Sequence, residues 1–211
     1  MKLEEAIKLL KKQKCVNSAY LYGSYLKSLQ SSHDIDILLV VDDSADLKTL
    51  KKIAKKMKKL SNKIELTTAT QSEARNYVHQ SLSSFYYVNL YNCSKHLMGK
   101  EAITTPPSPN LKELSRRVAF TTQRLRNAIV DEDKSDISYF VYKLDKWIPY
   151  FVQETMYVVY NEYIPVPKDA LKALVKKEKQ MRWFNLNSGI EKRIRFMQQL
   201  ENFLFNKLKN E

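Results

Sequence analysis

Five consecutive apolar residues, Ile37 to Val41, follow two aspartates that are one residue apart, Asp34 and Asp36. An apolar run of this length, rich in β-branched residues, is typical of a buried strand. Side chains on a strand repeat with a period of two, so both carboxylates should point to one face, about 7 Å apart along the backbone. The pattern therefore predicts a central strand that opens with a pair of carboxylates able to share metal ions.

Two further segments have the composition of neighbouring strands. Residues 19–22 form a short apolar run that leads directly into Gly23 and Ser24, a small-residue turn whose amides and hydroxyl could receive phosphate oxygens. Residues 63–67 alternate polar and apolar side chains, which places Glu65 on the polar face of a half-buried strand. Three acidic residues and a phosphate-binding turn are thus predicted on three successive strands.

This order of motifs resembles the nucleotidyltransferase superfamily related to DNA polymerase beta. Its members have a Gly-Ser turn, a spacer, an Asp-x-Asp pair that opens a strand, and a later acidic residue on another strand; here these are Gly23, Ser24, Asp34, Asp36 and Glu65. In size the chain is similar to the minimal and the aminoglycoside-modifying members. The resemblance implies an α+β fold in which a mixed sheet flanked by helices forms the first domain and a helical bundle follows.

The resemblance also implies the chemistry. Asp34 and Asp36 would bind two Mg²⁺ ions, and Glu65 would either bind the second ion or take the proton of the acceptor. Gly23 and Ser24 would hold the terminal phosphates of a nucleoside triphosphate, with ATP the expected co-substrate and pyrophosphate the by-product. His33 directly precedes Asp34 and is interpreted either as a turn residue or as a contact to a phosphate or to the acceptor.

Prolines 106, 107 and 109 mark the expected boundary between a domain of residues 1–105 and a domain of residues 106–211, since prolines at this density continue neither a helix nor a central strand. The first domain is expected to end in a helix from Ser84 to Leu97. Beyond the prolines the pattern is helical, and four helices are predicted: Leu111 to Val130, Ser135 to Tyr160, Lys168 to Lys179 and Gly189 to Leu208.

Charge and apolar run lengths restrict the class of protein. The chain has 36 basic and 23 acidic residues, a net charge of +13, which favours polyanionic partners such as nucleotides or RNA. The excess is spread over both predicted domains. Its apolar runs fall short of the roughly 20 residues needed to span a bilayer, and its two cysteines suit a reducing compartment. A cytoplasmic protein is expected.

The acceptor is left open among three hypotheses. The first is the hydroxyl of a small molecule; if that molecule were cationic, Asp145, Glu154 and Glu162 could bind it. The second is RNA or a partner protein, as in toxin–antitoxin pairs, and the arginines at 116, 117, 124 and 126 could then bind phosphates. The third is a non-catalytic nucleotide-binding module. Aromatic residues crowd the second predicted bundle helix at positions that cannot all share one face.

Overall fold

A computed structural model describes residues 2–26, 34–78, 83–131 and 134–210. The chain divides into two compact units, Met1–Ser108 and Pro109–Glu211. The division into a domain of residues 1–105 and a domain of residues 106–211 stays a prediction. His33 lies outside the described residues.

The first unit contains a four-stranded sheet and four α-helices within its described residues. The strands are β1 (Val16–Tyr22), β2 (Ile35–Val41), β3 (Ile64–Thr70) and β4 (Lys95–Gly99). The helices are α1 (Lys2–Lys11), α2 (Leu47–Leu60), α3 (Gln71–Arg75) and α4 (Phe85–Cys93), and a single turn of 3₁₀ helix covers Ser24–Leu26. The three predicted strands are therefore present.

The sheet is mixed, with the strand order β3-β2-β1-β4. Strand β1 pairs antiparallel with β2 and β4, whereas β2 and β3 run parallel. The connection between β2 and β3 passes through α2, as parallel pairing requires a crossover. Strand β2 is a central strand and carries an almost continuous apolar run, which explains why its last five residues are buried.

Each face of the sheet packs against its own helices. Ile37 and Leu39 of β2 belong to one core cluster with Leu10 of α1 and Ile53 of α2. Because side chains alternate, the intervening residues of β2 face the other way, and Leu38 belongs to the second cluster. That cluster comprises Tyr20, Leu38, Val40, Ala69, Ala74, Tyr87, Leu90 and Ile103.

The expected helix from Ser84 to Leu97 is wrong at its C-terminal end. Helix α4 stops at Cys93, and Lys95–Gly99 form the edge strand β4. Pairing with β1 supplies the backbone hydrogen bonds that decide the conformation of this segment. Gly99 ends the strand with a φ of 83°, and a Cβ there would lie 1.9 Å from the carbonyl oxygen of Asn17.

The described part of the second unit contains helices and the segments that connect them, and no strand. Its helices are α5 (Leu111–Val130), α6 (Lys134–Tyr160), α7 (Pro167–Lys177) and α8 (Ile190–Leu208). Buried side chains from all four form one core, with Leu114, Ile148, Leu174 and Leu200 among those fully enclosed. Within the parts of the chain that the structure describes, no helix is long and apolar enough to cross a membrane.

Candidate functional site

Three polar side chains are aligned across the sheet where β2 begins. Asp36 is the Cα partner of Tyr22 on β1 and of Glu65 on β3. Residues directly opposite each other on paired strands project to the same face, so these side chains form one row. Asp36 is half-buried and Glu65 is exposed. The fold thus places two carboxylates on neighbouring strands, which lie about 4.8 Å apart.

Asp34 lies one residue before β2 and is exposed to solvent. The adjacent backbone is fixed where Ile35 N donates to the carbonyl oxygen of Lys63 at 2.8 Å. This bond joins the start of β2 to the residue that precedes β3. Asp34 therefore stands at the same end of the sheet as Asp36 and Glu65.

Gly23 brings the predicted phosphate turn against the Asp36 carboxylate. It follows the last residue of β1 and has a φ of 80°, in the left-handed region that favours glycine. A Cβ at this position would lie 2.2 Å from Oδ2 of Asp36. Ser24 begins the 3₁₀ turn and is exposed. The close approach of turn and carboxylate requires the absence of a side chain at Gly23.

The carboxylates of Asp36 and Glu65 fit a cation that takes only one or two ligands from protein and the rest from substrate and water. Within residues 2–26, 34–78, 83–131 and 134–210, no three His, Cys, Asp or Glu side chains are grouped closely enough to hold a metal ion. Mg²⁺ is commonly bound through one or two carboxylates, with substrate phosphates and water completing its shell. Asp36 and Glu65, side by side and next to an open turn, suit that mode of binding.

Two tyrosines, Tyr22 and Tyr86, lie near Asp36, and the sequence analysis assigned a role to neither. The Tyr22 and Thr67 hydroxyls are hydrogen-bonded at 2.9 Å, which ties β1 to β3 across β2. The ring of Tyr86 on α4 packs edge-on against Tyr22, with 5.9 Å between centroids. Burial raises the pKa of the Tyr86 phenol far above its ordinary value, and the neighbouring Tyr22 and Asp36 raise it further. Tyr86 thus stays neutral beside the carboxylate.

A signal for Tyr22 was present in the sequence, because it directly precedes Gly23 at the end of a predicted strand. No comparable signal exists for Tyr86. It lies 50 residues after Asp36 in a run of aromatic residues with no distinguishing spacing. Only the packing of α4 on the sheet reveals its position.

In the second unit, the acidic residues suggested for a cationic acceptor all have basic partners. Glu154 on α6 accepts a hydrogen bond from Arg117 on α5, and its side chain is only 4% exposed. The other two pairs are Lys177 with Glu162 and Arg193 with Asp145, each at 2.8 Å. These carboxylates are therefore engaged in ion pairs within the unit.

The four arginines of α5 have different environments. Arg117 is committed to Glu154, and its guanidinium also lies 5.8 Å from the centre of the Phe151 ring. Arg116, Arg124 and Arg126 are exposed. Arg117 therefore stabilises the packing of α5 on α6 through its ion pair, whereas the other three arginines are accessible to bind anions.

Comparison with known proteins gives a family for the first unit. Residues 4–84 match the family described as Polymerase beta, Nucleotidyltransferase. These residues include the Gly23 turn, all three acidic positions and strands β1 to β3. No curated protein sequence matches the chain.

Among solved structures, the spectinomycin adenyltransferase AAD(9) from Enterococcus faecialis, with ATP and spectinomycin, matches with a TM-score of 0.51 and 19% identity over 96% of both chains. The MntA–HpeT toxin–antitoxin matches with a TM-score of 0.34 and 23% identity, over 63% of this chain and 97% of that one. A tri-AMPylated Shewanella oneidensis HEPN toxin in complex with MNT antitoxin matches with a TM-score of 0.32 and 21% identity, over 63% and 98%.

The match to the adenyltransferase confirms the predicted fold class, an α+β domain with a mixed sheet followed by a helical region. The family match covers the part of the chain in which the sheet aligns Tyr22, Asp36 and Glu65 beside Gly23. The first unit therefore contains a segment, residues 4–84, that matches the polymerase beta nucleotidyltransferase family.

Proposed function

We propose that the protein transfers a nucleoside monophosphate from ATP to the hydroxyl of a small molecule and releases pyrophosphate. The observation that carries this proposal is the pairing of Asp36 with Glu65 across β2 and β3, with the Gly23 turn against Asp36. A bond forms between the acceptor oxygen and the α-phosphorus as the bond from that phosphorus to the bridging oxygen breaks. The hydroxyl proton goes to a carboxylate, and the leaving group is pyrophosphate.

Each residue of the row would have a distinct role. Asp34 and Asp36 would bind Mg²⁺, and Asp36, the half-buried member next to the turn, would lie nearest the triphosphate. Glu65 is exposed and lies on the outer side of Asp36, so it would meet the acceptor and take its proton or complete the second metal site. Two bound metal ions would stabilise the charge on the attacking and leaving oxygens.

The turn and the aromatic residues would position these groups. Gly23 and Ser24 would hold the terminal phosphates of ATP, since the turn is exposed and has no side chain at Gly23 to obstruct them. Tyr22 and its partner Thr67 would fix the sheet beneath Asp36. Tyr86 would keep bulk water from one side of the carboxylate, because its neutral ring packs against Tyr22.

The choice of a small acceptor is supported by the adenyltransferase that matches over 96% of the chain, which was solved with ATP and spectinomycin. The ion pairs of Asp145, Glu154 and Glu162 weigh against a strongly cationic acceptor. A neutral or anionic molecule with a hydroxyl group suits the net charge of +13 better.

A second candidate is transfer to RNA or to a partner protein. It is favoured by exposed arginines on α5 and by exposed aromatic residues on α6, which a small acceptor would not need. The two candidates differ in the size of the labelled product.

Radiolabelled ATP tests both. The protein is incubated with Mg²⁺ and either α-labelled or γ-labelled ATP, together with a cell extract divided by ultrafiltration into small and large molecules. We expect α-label to enter a product of the small fraction and γ-label to appear only in pyrophosphate. Label in the large fraction alone would support the second candidate, and absence of any product from either fraction would contradict transferase activity.

A control variant must show that any loss of transfer comes from the site and not from unfolding. Glu5→Gln removes an exposed carboxylate of α1 in the same unit and should leave transfer unchanged. Asp36→Asn should remove transfer while the circular dichroism spectrum is retained. Equal transfer by the two variants would contradict the assignment of the site to Asp36.

A further inference from the structure

Helix α6 carries a stripe of aromatic and basic residues that are exposed except for the half-buried Lys143, and we call it the tyrosine–lysine face. It consists of Tyr139, Tyr142, Lys143, Lys146 and Tyr150. The intervals of 3, 4, 7 and 11 residues from Tyr139 place all five on one side of a helix. The three tyrosines are 50%, 62% and 53% exposed, in chain order.

The core of the second unit uses the opposite side of the same helix. Its buried stripe comprises Phe140, Leu144, Ile148, Val152 and Met156. The expectation that the aromatic residues of this helix divide between two faces is met, since Phe140 is enclosed while Tyr139 is exposed. Each of the three tyrosines therefore remains at least half exposed, although the Tyr139 ring also packs against Phe140 and Trp147.

Positive charges lie over two of these rings, those of Tyr139 and Tyr142. Lys143 Nζ is 5.5 Å from the centre of the Tyr139 ring and 5.6 Å from that of Tyr142. Lys146 Nζ is 5.9 Å from the Tyr142 ring. None of the five residues of the face is acidic. Aromatic and cationic groups thus lie together along about 16 Å of helix, at 1.5 Å per residue.

The face continues onto the neighbouring helix α5. Arg124 lies 5.3 Å from the ring of Phe140 on α6 and 5.9 Å from the ring of Phe120 on its own helix. Phe120 is 61% exposed. A further exposed ring and a further cation, Phe120 and Arg124, therefore lie beside the tyrosine–lysine face, and the surface is wider than one helix.

We propose that the tyrosine–lysine face binds single-stranded RNA. Exposed rings stack on unpaired bases, and neighbouring basic side chains contact the phosphates that join them. The tyrosine hydroxyls can also bond to ribose 2′-hydroxyls, which DNA lacks. A protein partner fits less well, because lysine is depleted in protein interfaces and the chain carries a net charge of +13. The inference is independent of nucleotidyl transfer.

Fluorescence anisotropy with a labelled 12-residue oligouridylate, without ATP, tests the proposal. The wild type should bind it, and Tyr139→Ser with Tyr142→Ser should weaken binding at least tenfold, since each stacked ring contributes about 1–3 kcal/mol. Tyr139→Phe with Tyr142→Phe keeps both rings and should bind within about threefold of the wild type. Tyr91→Ser removes an exposed tyrosine of α4 outside the face and should leave affinity unchanged.

The contribution of the two lysines is tested separately. Alanine replaces them because it removes the charge and keeps the helix. Lys143→Ala with Lys146→Ala should lower the slope of log affinity against log salt by about 1.4, since each single-strand phosphate contact contributes about 0.7. Wild-type affinity in the serine double variant, or an unchanged slope in the alanine double variant, would overturn the proposal. So would equal or tighter binding of the corresponding oligodeoxyuridylate. Loss of self-association in the serine variant without any RNA binding by the wild type would assign the face to protein contact instead.

Discussion

Asp36 and Glu65 are direct neighbours across the parallel strands β2 and β3, so their side chains share one face at the same end of the sheet. The two residues are 29 positions apart in the sequence. Pairing of two strands, each contributing its second residue, makes them adjacent. Under the proposed function, the half-buried Asp36 would serve the triphosphate and the exposed Glu65 the acceptor.

Glu65→Gln should damage chemistry far more than nucleotide binding. The amide keeps the shape of the side chain but neither carries charge nor accepts a proton, so turnover should fall by about 10² to 10⁴. Affinity for ATP with Mg²⁺ should stay within tenfold, or about 1.4 kcal/mol. Calorimetric titration with a non-hydrolysable ATP analogue and steady-state kinetics measure the two quantities. Equal losses of turnover and of ATP affinity would show that Glu65 acts mainly as a ligand of the triphosphate or of the metal.

Gly23→Ala should lower both stability and transfer. The backbone angle there costs an L-residue about 1–2 kcal/mol, and the new Cβ would lie 2.2 Å from Asp36 Oδ2. Gly189→Ala is the matched control, because nothing lies within 4 Å of a Cβ at that position. Thermal melts and pyrophosphate release should separate the two variants, and identical behaviour would contradict the close approach of the turn to Asp36.

High pH should destabilise the first unit through buried tyrosines. Tyr87 donates to the carbonyl oxygen of Val78 at 2.9 Å, and burial raises its pKa from 10.0 to about 12. A pKa raised by folding means that the neutral phenol contributes stability below pH 10, and that this contribution is lost as pH rises from 10 through 12. The urea midpoint should therefore fall over that range, and less steeply in Tyr87→Phe. A decline equally steep in that variant would show that other groups cause it.

Glu154→Gln should destabilise the second unit. It would leave the Arg117 guanidinium facing an uncharged partner, and breaking a buried ion pair typically costs about 3–5 kcal/mol. Arg117→Met combined with Glu154→Leu should recover most of the loss, because an apolar pair has no charge to bury. Chemical denaturation measures the free energy of unfolding of each variant. Unchanged stability with a raised KM for the acceptor would instead identify Glu154 as a substrate-binding residue.

Long elements with strong patterns could be predicted from the sequence. Helix α5 begins at Leu111 and ends at Val130 as its apolar spacing predicts, and Asn110 caps it by accepting a hydrogen bond from Glu113 N at 2.7 Å. Strand β2 was predictable because an apolar run of that length suits a strand enclosed on both faces. In these elements local preference and tertiary packing agree.

Short elements were predicted less well. Strand β4 depends on pairing with β1, which no local pattern reveals. Helix α3 was missed, although Thr70 and Glu73 form a capping box that could have been recognised from their spacing. In the site, the acidic residues follow a motif, whereas Tyr86 reaches Asp36 only because α4 packs on the sheet.

Pyrophosphate release by Asp36→Asn, measured with saturating ATP and Mg²⁺ in the presence of the acceptor fraction, tests the central claim most directly. Asp36 is half-buried, is paired with Glu65 and touches the position that a Cβ of Gly23 would occupy. If Asp36 binds Mg²⁺ as proposed, losing its charge should slow release at least a hundredfold, or about 2.7 kcal/mol, while Glu5→Gln retains the wild-type rate. A rate in Asp36→Asn equal to that of Glu5→Gln would contradict a metal-dependent nucleotidyl transfer at this carboxylate.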